Sequence, residues 1–97
     1  MLYAVLFTDN PEHAEARRRL MPDHLAFLEK NAGRIRAAGP LDEGGSPAGG
    51  LWLVEADTVG AVKALYESDP FWPTGLRRSV RVLRWTQVFA NGKRLTT

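Results

Sequence analysis

Cysteine is absent from this sequence of 97 residues, and histidine occurs only twice. Without thiols the chain can form neither disulfides nor thiolate metal sites, and it has no cysteine nucleophile. This composition fits a reducing compartment, so we expect a cytoplasmic protein. Two histidines without cysteine make a poor metal site, and no residue set indicates a cofactor. We therefore expect neither a metal nor a cofactor, although a haem held by one histidine stays open.

Long apolar runs are also missing. The N-terminal run LYAVLFT (2–8) is too brief for a signal peptide or a membrane span, so we expect a soluble protein without a membrane partner. The formal net charge of +2 is too small to indicate a nucleic-acid partner. Four arginines crowd one stretch, at Arg77, Arg78, Arg81 and Arg84. Such a cluster is usually a solvated face, but it can also attract an anionic ligand.

The length and the composition predict one domain over residues 1–97, because two domains would each lack a workable core. Apolar residues make up 44% and charged residues 25%, as in ordinary globular proteins.

Periodicity predicts four strands and two helices. The strands are expected at residues 2–8, 34–41, 51–56 and 79–89. The first helix follows the cap Asn10, has a kink or restart at Pro22 and ends near Asn31; the second follows a cap at Asp57 or Thr58. The segment DEGGSPAGG (42–50) is expected to be a flexible loop. The resulting order β-α-β-β-α-β predicts an α+β, ferredoxin-like fold with a four-stranded antiparallel sheet.

Two helices can cover only one face of such a sheet. The inner face of the first helix is expected to carry Met21, Leu25, Leu28 and Ala32, and that of the second Val62, Leu65 and Tyr66. The strands are apolar on both faces, and a large open apolar face is unusual on a monomer. We therefore expect a homodimer that pairs through the open sheet face.

Asp69 has two interpretations. Asp69-Pro70 is typical of a cap followed by proline in the first helical turn, with Gly75 ending that short helix. A capping carboxylate can still leave one oxygen free, and a fixed anion is what orients a histidine for acid–base work. Of the two histidines, His13 lies in a polar stretch and is expected to be exposed. His24 lies at the edge of the apolar stripe, where it is either a hydrogen-bonded boundary residue or a functional one.

Taken together, the segments at residues 21–41 and 61–85 resemble the YCII family (YciI-like proteins). The features that carry the resemblance, which spans nearly the full chain, are Pro22-x-His24-Leu25, Ala38-Gly39-Pro40, Asp69-Pro70-Phe71, Gly75 and Trp85. The resemblance implies a dimeric α/β barrel of ferredoxin-like subunits, with a pocket in which His24 and Asp69 form the active site. It links the chain to lyase, dehydrochlorinase and isomerase chemistry on aromatic-ring degradation products, and to cofactor-free oxygenation.

The chain also departs from the family pattern. Met21 stands where some relatives carry an arginine. Arg17 or Arg18 could supply the positive charge of that arginine instead. Trp72-Pro73 replaces smaller residues, which predicts a narrower pocket.

The function predicted on this basis is cofactor-independent acid/base chemistry on a small anionic, cyclic or aromatic substrate. Asp69 would hold His24 in one tautomer and stabilise its protonated form, while Arg77 or Arg78 would neutralise the charge of the substrate. One alternative is a non-catalytic dimeric module that binds a small ligand. Nucleic-acid binding through residues 77–84 ranks last, and we expect no nucleic-acid partner.

Overall fold

Four antiparallel strands and two helices form the framework of the computed structural model, which describes residues 1–96. The strands of the main sheet are β1 (Leu2–Asp9), β2 (Ile35–Glu43), β3 (Ser46–Glu55) and β4 (Arg77–Arg84), in the spatial order β2-β3-β1-β4. The helices are α1 (Ala14–Lys30) and α2 (Val59–Glu67), with short 3₁₀ turns at Pro11–His13 and Trp72–Thr74. The predicted α+β, ferredoxin-like fold is confirmed.

The core lies between the helices and one face of the sheet. Successive side chains of a strand point to opposite faces, so alternate residues of β1 and β3 fill this layer. The buried core residues of the two strands and of α2 are Tyr3, Val5, Phe7, Trp52, Val54, Val62, Leu65 and Tyr66. The predicted inner face of α2 is thus confirmed. Burial, followed by the charge of Glu67, raises the pKa of the Tyr66 phenol, which is therefore neutral at physiological pH.

The opposite face of the sheet carries apolar side chains that this chain leaves uncovered. Leu51 and Leu53 of β3 line a shallow depression with Leu83 and Trp85, of which Leu83 is 42% and Trp85 40% exposed. The predicted homodimer would cover this face, and it stays a prediction because the structure contains a single chain.

The glycine-rich segment at 42–50 was expected to be a tip rather than a linker, which is confirmed, and a flexible loop, which is wrong. β2 and β3 continue through it as a hairpin whose tip is Gly44-Gly45, both with positive φ. Two such residues make the tight turn that matches the twist of paired strands. Gly49 has a φ of 150°, and a Cβ there would lie 1.8 Å from the carbonyl oxygen of Phe7. Glycine in this segment therefore permits close strand pairing.

The last strand is shorter than predicted. β4 ends at Arg84, and a separate hairpin follows, formed by β5 (Phe89–Ala90) and β6 (Lys93–Arg94). The alternating pattern that continues to Phe89 therefore belongs to two strands rather than one.

Helix α1 differs from the prediction in two respects. It continues through Pro22 as one element and does not restart there, while the kink stays a prediction. Pro22 is exposed, and so is Arg18, whose carbonyl loses its helical hydrogen-bond partner at the proline. The centre of its buried face is His24, whereas Leu25 is 49% exposed. The predicted cap of α2 is confirmed, since the Thr58 hydroxyl accepts from the Ala61 N–H. The Asn10 side chain accepts from the Glu12 N–H and caps the 3₁₀ turn that leads into α1 rather than α1 itself.

Within residues 1–96 no helix combines the length and the apolar character needed to cross a membrane.

Candidate active site

His24 is the one buried residue of α1, with an exposed fraction of 7%. The sequence places it one helical turn before Phe27 and Leu28, which pack against the core, so the ring is carried to the sheet by the inner face of the helix. The ring of His24 stacks on that of Phe71, with centroids 4.1 Å apart and planes inclined by 16°. Its plane is therefore fixed by packing as well as by the helix.

Asp69 follows α2 and is 3% exposed. Its Oδ1 accepts a hydrogen bond from His24 Nδ1 at 2.8 Å and another from the Phe71 N–H at 3.2 Å. The carboxylate thus shapes the turn after α2 and contacts His24 with the same oxygen. One interpretation of the sequence made Asp69 the cap of a short helix here. In the structure, Phe71 instead occupies the cap position of the 3₁₀ turn at Trp72–Thr74. Gly75 ends that turn in the left-handed region, as expected.

The carboxylate determines the tautomer of His24. An ionised carboxylate only accepts hydrogen bonds, so Nδ1 of the ring must carry the proton that Asp69 receives. In the neutral ring the lone pair is then on Nε2. Nδ1 makes the one hydrogen bond of the ring within residues 1–96, and the ring lines a cavity. Nε2 is therefore the nitrogen that is free to accept a proton from a ligand.

The cavity beside His24 has a volume of about 90 Å³. Its walls come from α1, from the middle of β2 and β3 and from the start of β4. The apolar part of the wall includes Met21, Leu25, Leu28, Pro40, Trp52 and Phe71. Two arginines, Arg17 and Arg77, supply positive charge to an otherwise apolar space.

Arg77 is a fixed cation. Its side chain is 5% exposed, and its Nη1 donates to Asp9 Oδ1 at 2.8 Å. The guanidinium lies 4.2 Å from the centroid of the Phe7 ring and 5.3 Å from that of Phe71, within the range of cation–π attraction. Its Nε is buried without a hydrogen bond in the described part of the chain. A cation held this way stabilises an anion in the cavity without having to be ordered first.

The arginine cluster of the sequence is dispersed by the fold. Of the two arginines predicted to bind substrate, Arg77 lines the His24 cavity, whereas Arg78 is exposed and lines a second cavity. Arg81 and Arg84 are exposed on β4.

Sequence reasoning missed the part that Asp9 plays. Asp9 lies 68 residues before Arg77, and only the pairing of β1 with β4 brings the two together. Of the two possible substitutes for an arginine at position 21, Arg17, two helical turns before His24, lines the cavity, whereas Arg18 is exposed. His13 is half-buried rather than exposed, since its ring contacts Gly75, where a Cβ would lie 3.3 Å from His13 Cε1.

Within residues 1–96 no three histidine or carboxylate side chains come together in a way that could hold a metal ion.

Comparisons with known proteins agree with this architecture. A family model described as the YCII-related domain matches residues 1–86. Protein YciI from Escherichia coli O6:H1 and protein YciI from Shigella flexneri are each 30% identical over 98 residues, which covers 92% of this chain and 100% of each relative. A solved structure of 5-chloro-2-hydroxyhydroquinone dehydrochlorinase (TftG) from Burkholderia phenoliruptrix AC1100, in complex with 2,5-dihydroxybenzoquinone, is similar with a TM-score of 0.80. The two sequences are 29% identical, and the match covers 89% of this chain and 94% of the TftG chain.

Proposed function

The chain belongs to the YCII-related family, and on that premise we propose that it is a small-molecule enzyme in which His24 and Asp69 perform acid/base chemistry. The proposed reaction is of the lyase, dehydrochlorinase or isomerase type and needs no cofactor. The proposed substrate is small, anionic and cyclic or aromatic. One observation carries the proposal: His24 Nδ1 is bound to a buried carboxylate while the same ring lines a cavity.

The pair has the parts that proton transfer requires. Nε2 of His24 takes a proton from a hydroxyl or a carbon of the substrate, and Asp69 offsets the positive charge that the ring acquires. In an elimination, the electron pair left behind forms the new double bond, and the leaving group departs with its own bonding pair. The imidazolium then returns the proton to solvent. A positioned base of this kind accelerates a reaction by roughly 10²–10⁴-fold.

Arg77 explains why the substrate should be anionic. Its charge is buried in the cavity wall and is balanced by Asp9, so a phenolate or enolate that forms during proton transfer gains a nearby cation. Arg78 would act only on a part of the ligand that extends into the second cavity. Its role as a substrate-binding residue stays a prediction.

The relatives narrow the choice of a first substrate. The name of TftG states that it removes chloride from a chlorinated hydroxyhydroquinone, and its structure contains a dihydroxybenzoquinone. The name of protein YciI states no activity. A ring with acidic hydroxyl groups is therefore the class that we would assay first.

The test compares His24→Ala with His13→Ala, which removes the other histidine and leaves the cavity lining unchanged. Chloride release from 5-chloro-2-hydroxyhydroquinone is measured alongside binding of 2,5-dihydroxybenzoquinone. We expect His24→Ala to lower kcat by about 10²–10⁴-fold and His13→Ala to leave kcat nearly unchanged.

Two results would contradict the proposal. One is a His24→Ala variant that keeps full turnover. The other is a wild-type protein that binds the quinone without any turnover of the chlorinated compound or of related hydroxylated rings. That second result would favour the non-catalytic binding module.

We further propose that the protein is a homodimer through the open sheet face. Leu51, Leu53, Leu83 and Trp85 form an apolar surface that a second copy would cover, and self-complementary burial is the usual basis of two-fold pairing. A single species of monomer mass in analytical ultracentrifugation would contradict this.

A further inference from the structure

The cavity beside His24 is too small for the ring substrate proposed above. Its volume is about 90 Å³, whereas an apolar cavity of roughly 150 Å³ takes up a benzene molecule. A ring that carries hydroxyl groups and a leaving group is larger than benzene. Such a substrate therefore fits wholly inside the cavity only if a wall of the cavity moves.

A second cavity of about 410 Å³ lies next to the first. The end of β1, the start of α1, the start of β3 and the start of β4 converge on it. Its lining includes Ala14, Pro47, Ala48, Leu76 and Arg78. Its volume falls within the ~300–1,000 Å³ that small-molecule sites usually occupy. The space that the ring needs is thus present, on the other side of one wall.

Three charged side chains make up that wall. Arg77 lines the first cavity, Asp9 lines the second, and Arg17 lines both. Arg77 and Asp9 are held by their 2.8 Å contact, and their side chains are 5% and 9% exposed. Among residues 1–96, Arg17 has one polar side-chain contact, a 3.5 Å ion pair with Asp9 Oδ2, and its side chain is 21% exposed. Arg17 is therefore the member of the wall that can move.

Asp9 Oδ2 gives a second reason to expect a ligand here. This oxygen is buried, and within residues 1–96 it accepts no hydrogen bond. The 3.5 Å ion pair with Arg17 leaves this acceptor without a hydrogen bond, which is costly, so the site gains when a ligand hydroxyl supplies one. The side chain of Asp9 belongs to the lining of the larger cavity, on the side where the ligand would arrive.

We propose that Arg17 is a movable partition and that the substrate spans both cavities once Arg17 swings outward. This inference rests on the proposed function and specifies its substrate class: a hydroxylated, anionic ring with a second fused ring or an apolar extension. The reacting end lies against His24, the extension lies among Ala14, Ala48 and Leu76, and Arg17 closes over the anion from the solvent side.

Two ligands of different length test the proposal. One is 2,5-dihydroxybenzoquinone, which has a single ring, and the other is 2-hydroxy-1,4-naphthoquinone, which has two fused rings. The quantity of interest is the ratio of their dissociation constants, measured by calorimetry. Ala14→Trp fills the larger cavity from α1, and Ala48→Trp fills it from β3; both positions are exposed, which favours folding of the variants.

The matched control is Ala26→Trp, which adds the same side chain to an exposed position of α1 outside both cavities. We expect each filling variant to weaken binding of the two-ring ligand relative to the one-ring ligand by at least about tenfold. The introduced Trp side chain would occupy the space in which the second ring of the ligand is buried. The control should leave the ratio as in the wild type.

The proposal is overturned if the wild-type protein fails to bind the two-ring ligand, or binds it with a ratio that neither filling variant changes. Its failure differs from that of the proposed function. A protein that turns over one-ring compounds through His24 but excludes the naphthoquinone has the function without the joined cavity. A protein whose ratio shifts as expected while His24→Ala keeps turnover has the joined cavity without that chemistry.

Discussion

Two buried side-chain pairs, each containing a carboxylate, flank the same small cavity, and they are built differently. In the pair of His24 and Asp69, one carboxylate oxygen accepts both from the ring and from the Phe71 backbone. In the pair of Arg77 and Asp9, the ions meet at 2.8 Å, yet Arg77 Nε and Asp9 Oδ2 are buried without hydrogen bonds within residues 1–96. The backbone N–H of Phe71 fixes the geometry of the first pair. The second pair keeps one donor and one acceptor that make no hydrogen bond within residues 1–96.

The difference fits the division of work in the proposed function. A base must keep one tautomer and one orientation, and a turn that uses the same carboxylate provides both. An anion-binding cation must retain donors for a ligand, so incomplete satisfaction is useful there although it costs stability. The pair of Arg77 and Asp9 should therefore be the more fragile of the two when one partner is removed.

The largest effect should come from Asp9→Ala. This change leaves the Arg77 charge buried without its partner, and breaking a buried ion pair costs about 3–5 kcal/mol of the free energy of unfolding. Urea denaturation measures the loss. The double variant Asp9→Leu with Arg77→Met is the control, because it removes both charges and should recover most of the stability. A single variant that loses less than about 1 kcal/mol would show that the pair is solvated.

Asp69→Ala should have a smaller effect on stability. It removes the acceptor of two buried hydrogen bonds but leaves behind a histidine that can be neutral, so we expect a loss of about 1–3 kcal/mol. Asp69→Asn keeps an oxygen for the Phe71 N–H and should cost less. Its amide can instead donate to Nδ1, which would reverse the tautomer and abolish the proposed activity.

The ¹⁵N chemical shifts of the His24 ring report this tautomer. They should show a proton on Nδ1 in the wild type and a change in Asp69→Asn. An unchanged ring spectrum, together with full activity of Asp69→Asn, would reduce the carboxylate to a residue that only shapes the turn.

The order of elements could be predicted from the sequence because hydrophobic periodicity and caps such as Asn10 and Thr58 are local signals. The hairpin tip at Gly44-Gly45 could not, since glycine marks both loops and tight turns, and only strand pairing decides between them. The end of β4 at Arg84 was missed for a similar reason, because the alternating pattern continues into the next hairpin.

The site was predictable only in part. His24 and Asp69 lie 45 residues apart, and the resemblance to the YCII family, rather than the residues alone, suggested that they meet. No spacing rule links Asp9 to Arg77. Which member of an arginine cluster becomes buried depends on the register of β4 against β1, where a shift between Thr8 and Asp9 sets the Asp9–Arg77 pairing.

The smallest effect on stability should come from an exposed ion pair. Glu55 is 43% exposed and contacts the Met1 ammonium group and Arg36. The hydrogen bond with that ammonium group, followed by charge attraction, lowers the pKa of Glu55 below its ordinary value of 4.5. A lowered folded-state pKa gives stability that is present above the unfolded-state value and is lost as the pH falls through the folded-state value.

Glu55→Gln should therefore destabilise the protein slightly at pH 7, and the difference from the wild type should shrink as the pH falls below 4.5 and vanish once Glu55 is protonated in both the folded and the unfolded state. Denaturation midpoints at pH 7 and in acid measure this, with a further loss of the difference expected at high salt because exposed pairs are screened. Glu55→Gln could instead lose as much stability as Asp69→Ala, or its loss could grow in acid. Either result would mean that burial does not explain why the buried pairs contribute more to stability than the exposed pair.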